Sequence, residues 1–483
     1  MNPPFEYGIK REQPFPLKTF RRFPNVFIFG NIIMIPANLK FQSKVESAPA
    51  RKYLTQIQPQ GGTGNYNPGD TITINIPTRA NTALIPSDSY LRGNLVLSCA
   101  TANATAATME SCGVHGFIQR IRVFHGSNLL EDIDNYSQLA KIMYDYQAPD
   151  DSVKGRFSVT SGTNPDWTVL SNTDIAYTQN TVINPRGVNR GAVTSVTTAG
   201  TTVPFAINLV SMVGALAGEK YLPLWEMTAA PLRVEIVLKS SLVQSLAVIL
   251  GSATAQTFVA SGINYCGEFL ELPDSAISAI KSGSSSPMQM VLPSYRSYTN
   301  SAAITTAGTQ VSFPVPAKFS SLKNIFVATR TSQGAASLYP MSHCKYGLTS
   351  YNFRVGSEVL PSTAPSSVPE IYNEAVKCFG SLADLQLQPS IDLVSYQLDV
   401  PTSITTANLA QTADSGSFLV GIDMEIYQNA DKSSIFAGTN TNTSDIFYIA
   451  NYTPSGNVTI LQTAFAAYDQ VLVYENGVCY ARY

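Results

Sequence analysis

Two stretches decide how this chain is read: Arg122-Val-Phe-His-Gly-Ser-Asn-Leu-Leu130 and Asn352-Phe-Arg-Val-Gly-Ser-Glu-Val-Leu360. In each, a run of β-branched and aromatic residues meets a Gly-Ser pair, the composition of a strand entering a tight turn. A helical pattern follows both. Asn135 to Tyr146 places Leu139, Ile142, Met143 and Tyr146 at helical spacing with Asp134 as the N-cap, and Pro369 to Phe379 repeats the pattern after a proline start. Tyr136 and Tyr372 are expected to open the two helices. Gly126 and Gly356 are 230 residues apart, and the two tyrosines 236.

Two further blocks keep the same order. Gly69-Asp-Thr-Ile-Thr-Ile-Asn-Ile-Pro77 matches Gly308-Thr-Gln-Val-Ser-Phe-Pro-Val-Pro316, and Leu91 to Leu97 matches Leu322 to Val327. Offsets that drift only by loop lengths predict a duplication. The repeat far exceeds the ~20–50 residues of a solenoid unit, so each copy is a whole domain. Strand candidates in the first copy lie at 71–77, 91–99, 118–125, 156–160, 204–210, 231–239, 256–261 and 265–272. Those in the second lie at 309–316, 322–330, 348–356, 382–388, 393–400, 416–428, 457–462 and 468–475. About eight strands per copy with few helices predicts an all-β chain of two tandem eight-stranded jelly-roll β-sandwiches, each with a short helix and long loops. The domains expected are a basic Pro-rich extension at 1–50, a first jelly roll at 51–280 and a second at 281–483. Lys281-Ser-Gly-Ser-Ser-Ser-Pro287 has linker composition. Long Thr/Asn/Gly-rich loops are expected at 161–203 and 428–456.

Composition narrows the function. The 483 residues carry 31 Lys+Arg against 33 Asp+Glu, a formal charge of −2, which argues against a nucleic-acid module. Charged residues are 13% of the chain, about half the ~25% of ordinary soluble proteins. The difference is made up by Ser, Thr, Asn, Gln and Ala. Such a weakly charged, neutral-polar surface suits a protein largely covered by copies of itself. No apolar run reaches the ~18 residues of a spanning helix. Cysteines at 99, 112, 266, 344, 378 and 479 are widely spaced with no Cys-x-x-Cys, and read as buried small hydrophobes of a reducing compartment. The first fifty residues differ, with seven Lys/Arg against three Glu and prolines at 3, 4, 14, 16, 24, 36 and 49. They read as a basic arm touching neighbours or packaged nucleic acid, or as an extension ahead of an alternative start at Met34.

Signals of catalysis are thin. Histidines stand at 115, 125 and 343. The turn counterpart of His125 is Val355, which marks a packing position. Cys112/His115 and His343/Cys344 each offer two zinc ligands without the spaced second pair that a structural site needs. Gly61-Gly-Thr-Gly64 precedes a strand, so it lacks the helix N-terminus of a phosphate site and reads as a flexible lead-in. Glu131-Asp132 reads as solvated turn carboxylates. Sequons at Asn103, Asn442, Asn451 and Asn457 are expected by chance in so Thr-rich a chain. No catalytic, cofactor-binding or metal residue is assigned.

Together, the tandem sandwiches, the Gly126 to Leu130 turn leading to a helix, and Tyr221-Leu-Pro-Leu-Trp225 running into Pro231-Leu-Arg-Val-Glu-Ile-Val-Leu238 resemble double jelly-roll major capsid proteins of DNA viruses. Those of polinton-like viruses and virophages are most similar in character. The resemblance covers about residues 51 to 483. It implies a structural, non-enzymatic protein of the virion, assembled inside the host cell, without cofactor or membrane span. It implies homotrimeric pseudo-hexagonal capsomers that tile an icosahedral shell and meet minor capsid or penton proteins. The loops at 161–203 and 428–456 would form the outer tower, and the basic arm would make weak nucleic-acid contact. The alternative is a tandem β-sandwich carbohydrate- or receptor-binding protein. That class would carry exposed aromatic clusters or calcium-ligating Asp runs, and the chain has only Trp167 and Trp225 and a single Asp-x-Asp, Asp132-Ile-Asp134, with no longer Asp run. A β-sandwich hydrolase would need converging His, Asp or Glu residues, for which three histidines are a poor start.

Overall fold

Gly126 and Gly356 each sit at the turn of a two-residue hairpin with φ of 59° and 60°, the left-handed conformation that glycine adopts without strain. The computed structural model describes residues 50–62, 64–99, 105–109, 112–149, 152–161, 192–196, 201–241, 246–248, 256–284, 286–331, 341–383, 391, 393–400, 416–427 and 437–483. In the first half the strands are β1 (Arg51–Ile57), β2 (Thr71–Ile76), β3 (Thr82–Cys99), β4 (Thr105–Met109), β5 (Ile118–His125), β6 (Asn128–Asp134), β7 (Ala192–Val196), β8 (Thr201–Ile207), β9 (Leu232–Leu238), β10 (Leu246–Val248) and β11 (Gln256–Glu271). The second half adds β12 (Met288–Ile304), β13 (Thr309–Val315), β14 (Leu322–Thr331), β15 (Leu348–Val355), β16 (Glu358–Leu360), β17 (Leu419–Asp423), β18 (Ile446–Tyr452), β19 (Val458–Glu475) and β20 (Val478–Arg482). Three helices matter here: α1 (Tyr136–Gln147), α2 (Asp274–Gly283) and α3 (Val368–Lys377).

The duplication is explicit in the sheets. The first half orders its strands β1-β11-β3-β8 and β2-β9-β5-β6; the second orders them β12-β19-β14-β17 and β13-β18-β15-β16. Counted along the chain within either half, strands one, eight, three and six form one sheet, and two, seven, four and five the other. That order is the jelly roll. The expected fold class is therefore correct. β4, β7 and β10 form a separate three-stranded sheet, and β20 pairs with the end of β19.

Alternation explains which faces are inside. In β9 every second residue from Leu232 to Leu238 is buried, and in β2 Ile72, Ile74 and Ile76 are buried. Ile74 pairs with Val234, which pairs in turn with Val123, so one face of three adjacent strands is continuous core. The second sandwich does the same with aromatic residues. Phe353 lies opposite Tyr448, with ring centroids 5.2 Å apart.

Several expectations need correction. Residues 156–160 are not a strand: Val153–Phe157 and Ser158–Thr160 are helical. Leu393–Gln397 is also helical, where 393–400 was expected to be extended. Strands expected at 256–261 and 265–272 are one strand, β11, and those at 457–462 and 468–475 are one strand, β19. The 428–456 segment is not one loop, because β18 occupies Ile446–Tyr452 and pairs on both sides. Likewise β7 and the start of β8 fall inside 161–203. Within these segments 162–191, 197–200 and 428–436 lie outside the described residues, as do 384–388 and nearly all of the basic arm. Helix α2 occupies Asp274–Gly283, where linker composition was expected to continue from Lys281. The N-cap of α1 is Asn135 in a left-handed conformation, not Asp134. Tyr136 opens α1, but Tyr372 lies one turn inside α3. There the Glu370 carboxylate accepts the Ser366 and Ser367 amides, which lowers its pKa.

Candidate functional site

The described residues 50–483 belong to one compact unit, and its most built feature is the seam between the two sandwiches. Edge strand β6 of the first sandwich runs beside edge strand β12 of the second, and β20 reaches back onto β5 and β6. Hydrogen bonds fix that arrangement. The Cys479 amide donates to His125 Nδ1 at 3.0 Å, and Asn128 Nδ2 donates to the Cys479 carbonyl at 3.1 Å. Because Nδ1 accepts, the ring hydrogen is on Nε2, which faces the Met227 carbonyl at 3.2 Å. Gln470 Nε2 donates to the Leu130 carbonyl, and Asn135 Nδ2 to Ser297 Oγ at 3.2 Å. His125 is thus a seam residue, in keeping with a packing position.

Helix α1 extends the seam. Its Tyr146 donates to the Ser417 carbonyl at 2.9 Å and stacks on Phe379 with centroids 5.1 Å apart. Lys141 and Asp145 form a buried ion pair beside the Ser417 hydroxyl. Sequence reasoning missed this pair. The available signal was a Lys and an Asp four residues apart on a helix whose neighbouring positions are apolar.

The remaining candidates are structural. His115 is fully buried, with Tyr136 Oη 2.8 Å from Nδ1 and Tyr144 Oη 3.0 Å from Nε2. Burial lowers its pKa to about 3, so the ring is neutral, donating from one nitrogen and accepting at the other. Both nitrogens are therefore engaged by hydroxyls. His343 is buried and held well below its ordinary pKa by desolvation and then by Lys141 and Arg330. Its neighbour Cys344 is pushed up to about 12 by burial, the wrong direction for a nucleophile. The five cysteines whose side chains are described, Cys112, Cys266, Cys344, Cys378 and Cys479, are buried and free of disulfides. Among the described residues no three His, Cys, Asp or Glu side chains converge as metal ligands.

Glu131 and Asp132 are not solvated turn carboxylates. Both lie on β6: Asp132 pairs with Arg120 at 2.6 Å, while Glu131 is buried. The Glu131 carboxylate accepts the Ser211 hydroxyl and the Met212 amide. Burial outweighs those donors and raises its pKa to about 7. Gly61 and Gly62 sit in a turn closed by the Gly62 amide on the Pro59 carbonyl and by Tyr66 Oη on the Gly62 carbonyl, so this is not a loose lead-in. Trp167 lies outside the described residues.

Two clefts flank the seam. One of about 630 Å³ lies between the sandwiches, lined by Met143, Lys220, Lys323, Phe379 and Asp469 among others. The other, about 920 Å³, is lined by Tyr90, Tyr144, Arg156 and Asn208 among others. The lysine charges of the first are spoken for: Lys323 pairs with Glu425 and Lys377 with Glu374, each at 2.6 Å, and Lys220 donates to the Val291 carbonyl. Among the described residues neither cleft brings together a nucleophile, a base and an oxyanion site. No helix among the described residues is long and apolar enough to cross a membrane.

No protein-family model and no curated protein matches the chain. Solved structures do. The mavirus major capsid protein aligns over 98% of this chain and 97% of its own, at 12% identity and a TM-score of 0.57. The PBCV-1 protein VP54, as fitted into a reconstruction of the virophage Sputnik, aligns over 92% and 99%, at 11% identity and a TM-score of 0.60. The Faustovirus major capsid protein aligns over 90% and 93%, at 10% identity and 0.54. Near-complete coverage in both directions, with the strand order found in each half, gives this chain the double jelly-roll fold of viral major capsid proteins.

Proposed function

We propose that the chain is a structural major capsid protein that forms homotrimeric, pseudo-hexagonal capsomers tiling an icosahedral shell. The observation that carries this reading is the repeated jelly roll, matched end to end by major capsid proteins. Two like sandwiches per chain give a three-fold oligomer six like units, which is nearly hexagonal in outline and so able to tile a flat facet. The low charge content fits a molecule whose sides meet copies of itself. In this reading the chain acts without catalysis. Its domains are the extension at 1–50 and the jelly rolls at 51–280 and 281–483. The basic extension makes weak contact with packaged nucleic acid, minor capsid or penton proteins meet the capsomers, and the protein resides in virions assembled inside the host cell. Electron microscopy of the concentrated purified protein tests the reading. It predicts blocks of hexagonal outline and their sheets or shells; single elongated particles at every concentration would contradict it.

A further inference from the structure

Glu131 sits where β6 meets the second sandwich, its carboxyl between a turn of its own sandwich and β12 of the other. The 209–216 turn supplies two donors, the Ser211 hydroxyl and the Met212 amide. The second sandwich supplies Ser294 of β12, which is 1% exposed and whose Oγ has no hydrogen-bond partner. Ser294 is close enough to act on the Glu131 carboxyl, and Tyr468 stands opposite it across the β12–β19 ladder. One residue before Glu131, the Leu130 carbonyl accepts Gln470 of β19, so this point of β6 already touches the second sandwich.

Few charges bear on the carboxyl. Asp132, next on β6, is paired with Arg120; Tyr136 of α1 and Tyr468 of β19 face it, with Arg296 beyond Tyr468. Burial raises both tyrosines, Tyr468 to about 12, so both stay neutral near pH 7. No cation pairs with Glu131 among the described residues. Glu131 itself changes state near neutral pH, where its pKa lies at about 7.

We infer that the proton on Glu131 is a latch between the two sandwiches: the carboxylic acid donates it to Ser294 Oγ, and its loss parts β6 from β12. Protonated, Glu131 keeps the Ser211 and Met212 donors on its oxygens and has one hydrogen to give, and Ser294 Oγ is the buried acceptor that lacks one. The Ser294 hydrogen is then free for Tyr468 Oη, which it faces. Ionised, the carboxylate holds its two donors more tightly, so the turn stays with β6. The charge still lacks a cation and needs water. The cleft of about 630 Å³ supplies it, bordering Ser294 through Pro293 and Tyr295 and the turn through Ala215 and Leu216. A Ser294 hydroxyl that donated to the carboxylate instead would hold the Glu131 pKa down and keep the seam closed at high pH, the opposite behaviour.

Hydrogen exchange of the purified protein, read by mass spectrometry and corrected for the pH dependence of intrinsic exchange, tests the latch. With a Glu131 pKa of about 7 in the closed seam and about 4.5 in the open one, opening is expected to become about tenfold more frequent from pH 6 to pH 8. Protection is expected to fall by that factor in peptides of β6 and of residues 288–296, and to stay constant in β2 and β13. Glu131→Gln, whose amide donates to Ser294 at every pH, is expected to keep full protection at both. Ser294→Ala removes the acceptor and is expected to move the midpoint down by about 0.5–1 pH unit. Equal protection at pH 6 and pH 8 in the wild type, or a fall that persists in Glu131→Gln, would overturn the latch. A Ser294→Ala midpoint that stays in place or rises would overturn Ser294 as the acceptor.

Discussion

Lys141 and Asp145, one turn apart on α1, form a 2.6 Å ion pair whose side chains are 1% and 8% exposed. The Ser417 hydroxyl, from the other sandwich, donates to the same Asp145 oxygen at 2.9 Å. A buried pair of this kind costs desolvation and is held by its geometry, so its loss is asymmetric. Asp145→Ala strands a buried ammonium at the seam and is expected to cost about 3–5 kcal/mol. Replacing both together, Lys141→Met with Asp145→Leu, is expected to recover most of that. Urea unfolding of the three proteins measures the difference, and equal losses in the single and double variants would contradict the seam's electrostatics.

Tyr146 contributes to the same contact through one hydrogen bond and one stack. Tyr146→Phe keeps the stack on Phe379 but leaves the Ser417 carbonyl without its donor. The expected loss is about 1 kcal/mol. Tyr146→Ala removes the ring as well and is expected to cost about 3–5 kcal/mol.

Glu131 gives the fold a pH dependence. Its pKa rises from an ordinary carboxyl value to about 7 because burial outweighs the Ser211 and Met212 donors. The folded state therefore holds a proton that the unfolded state releases. That contribution is fully present below the unfolded value of about 4.5 and is lost as pH rises through about 7. Stability is expected to fall by about 3 kcal/mol across that window from this group. In Glu131→Gln the fall is absent. Unfolding free energies at pH 5 and pH 8 for both proteins decide it: identical pH profiles would contradict the assignment.

The hairpin glycines make a matched pair. At Gly126 and Gly356 an added Cβ meets its nearest neighbour at 3.6 Å in both cases, so only the backbone conformation is strained. Gly126→Ala and Gly356→Ala are each expected to cost about 1–2 kcal/mol. Unfolding measurements that gave one a large cost and the other none would argue against structural equivalence of the two turns.

Much of this was legible in the sequence because the decisive positions obey local rules. β2, β9 and β13 alternate cleanly, β5 and β15 alternate after one register shift near their starts, and the turn glycines carry the duplication. β12 was missed because Met288–Ile304 packs along the seam, and its burial is irregular where a clean alternation was sought. β18 does alternate, as Ile446-Phe-Tyr-Ile-Ala-Asn-Tyr452, but lies beside a Thr/Asn-rich run whose composition masked it. The short runs at 156–160 and 393–397 contain Val, Phe, Leu and Tyr and became helical, since so few residues cannot separate the two periods. The spacing of Lys141 and Asp145 was legible, but their burial, like that of Glu131, was not: the partners lie more than 70 positions away, Ser211 and Met212 for Glu131 and Ser417 for the pair.

The oligomer is the decisive quantity. Light scattering on the wild-type protein after gel filtration is predicted to give about 156 kDa, three chains of 52.1 kDa. That mass should survive dilution and high salt, because contacts between such weakly charged chains are mainly apolar and hydrogen-bonded. A stable 52 kDa monomer at high concentration would contradict the capsomer reading.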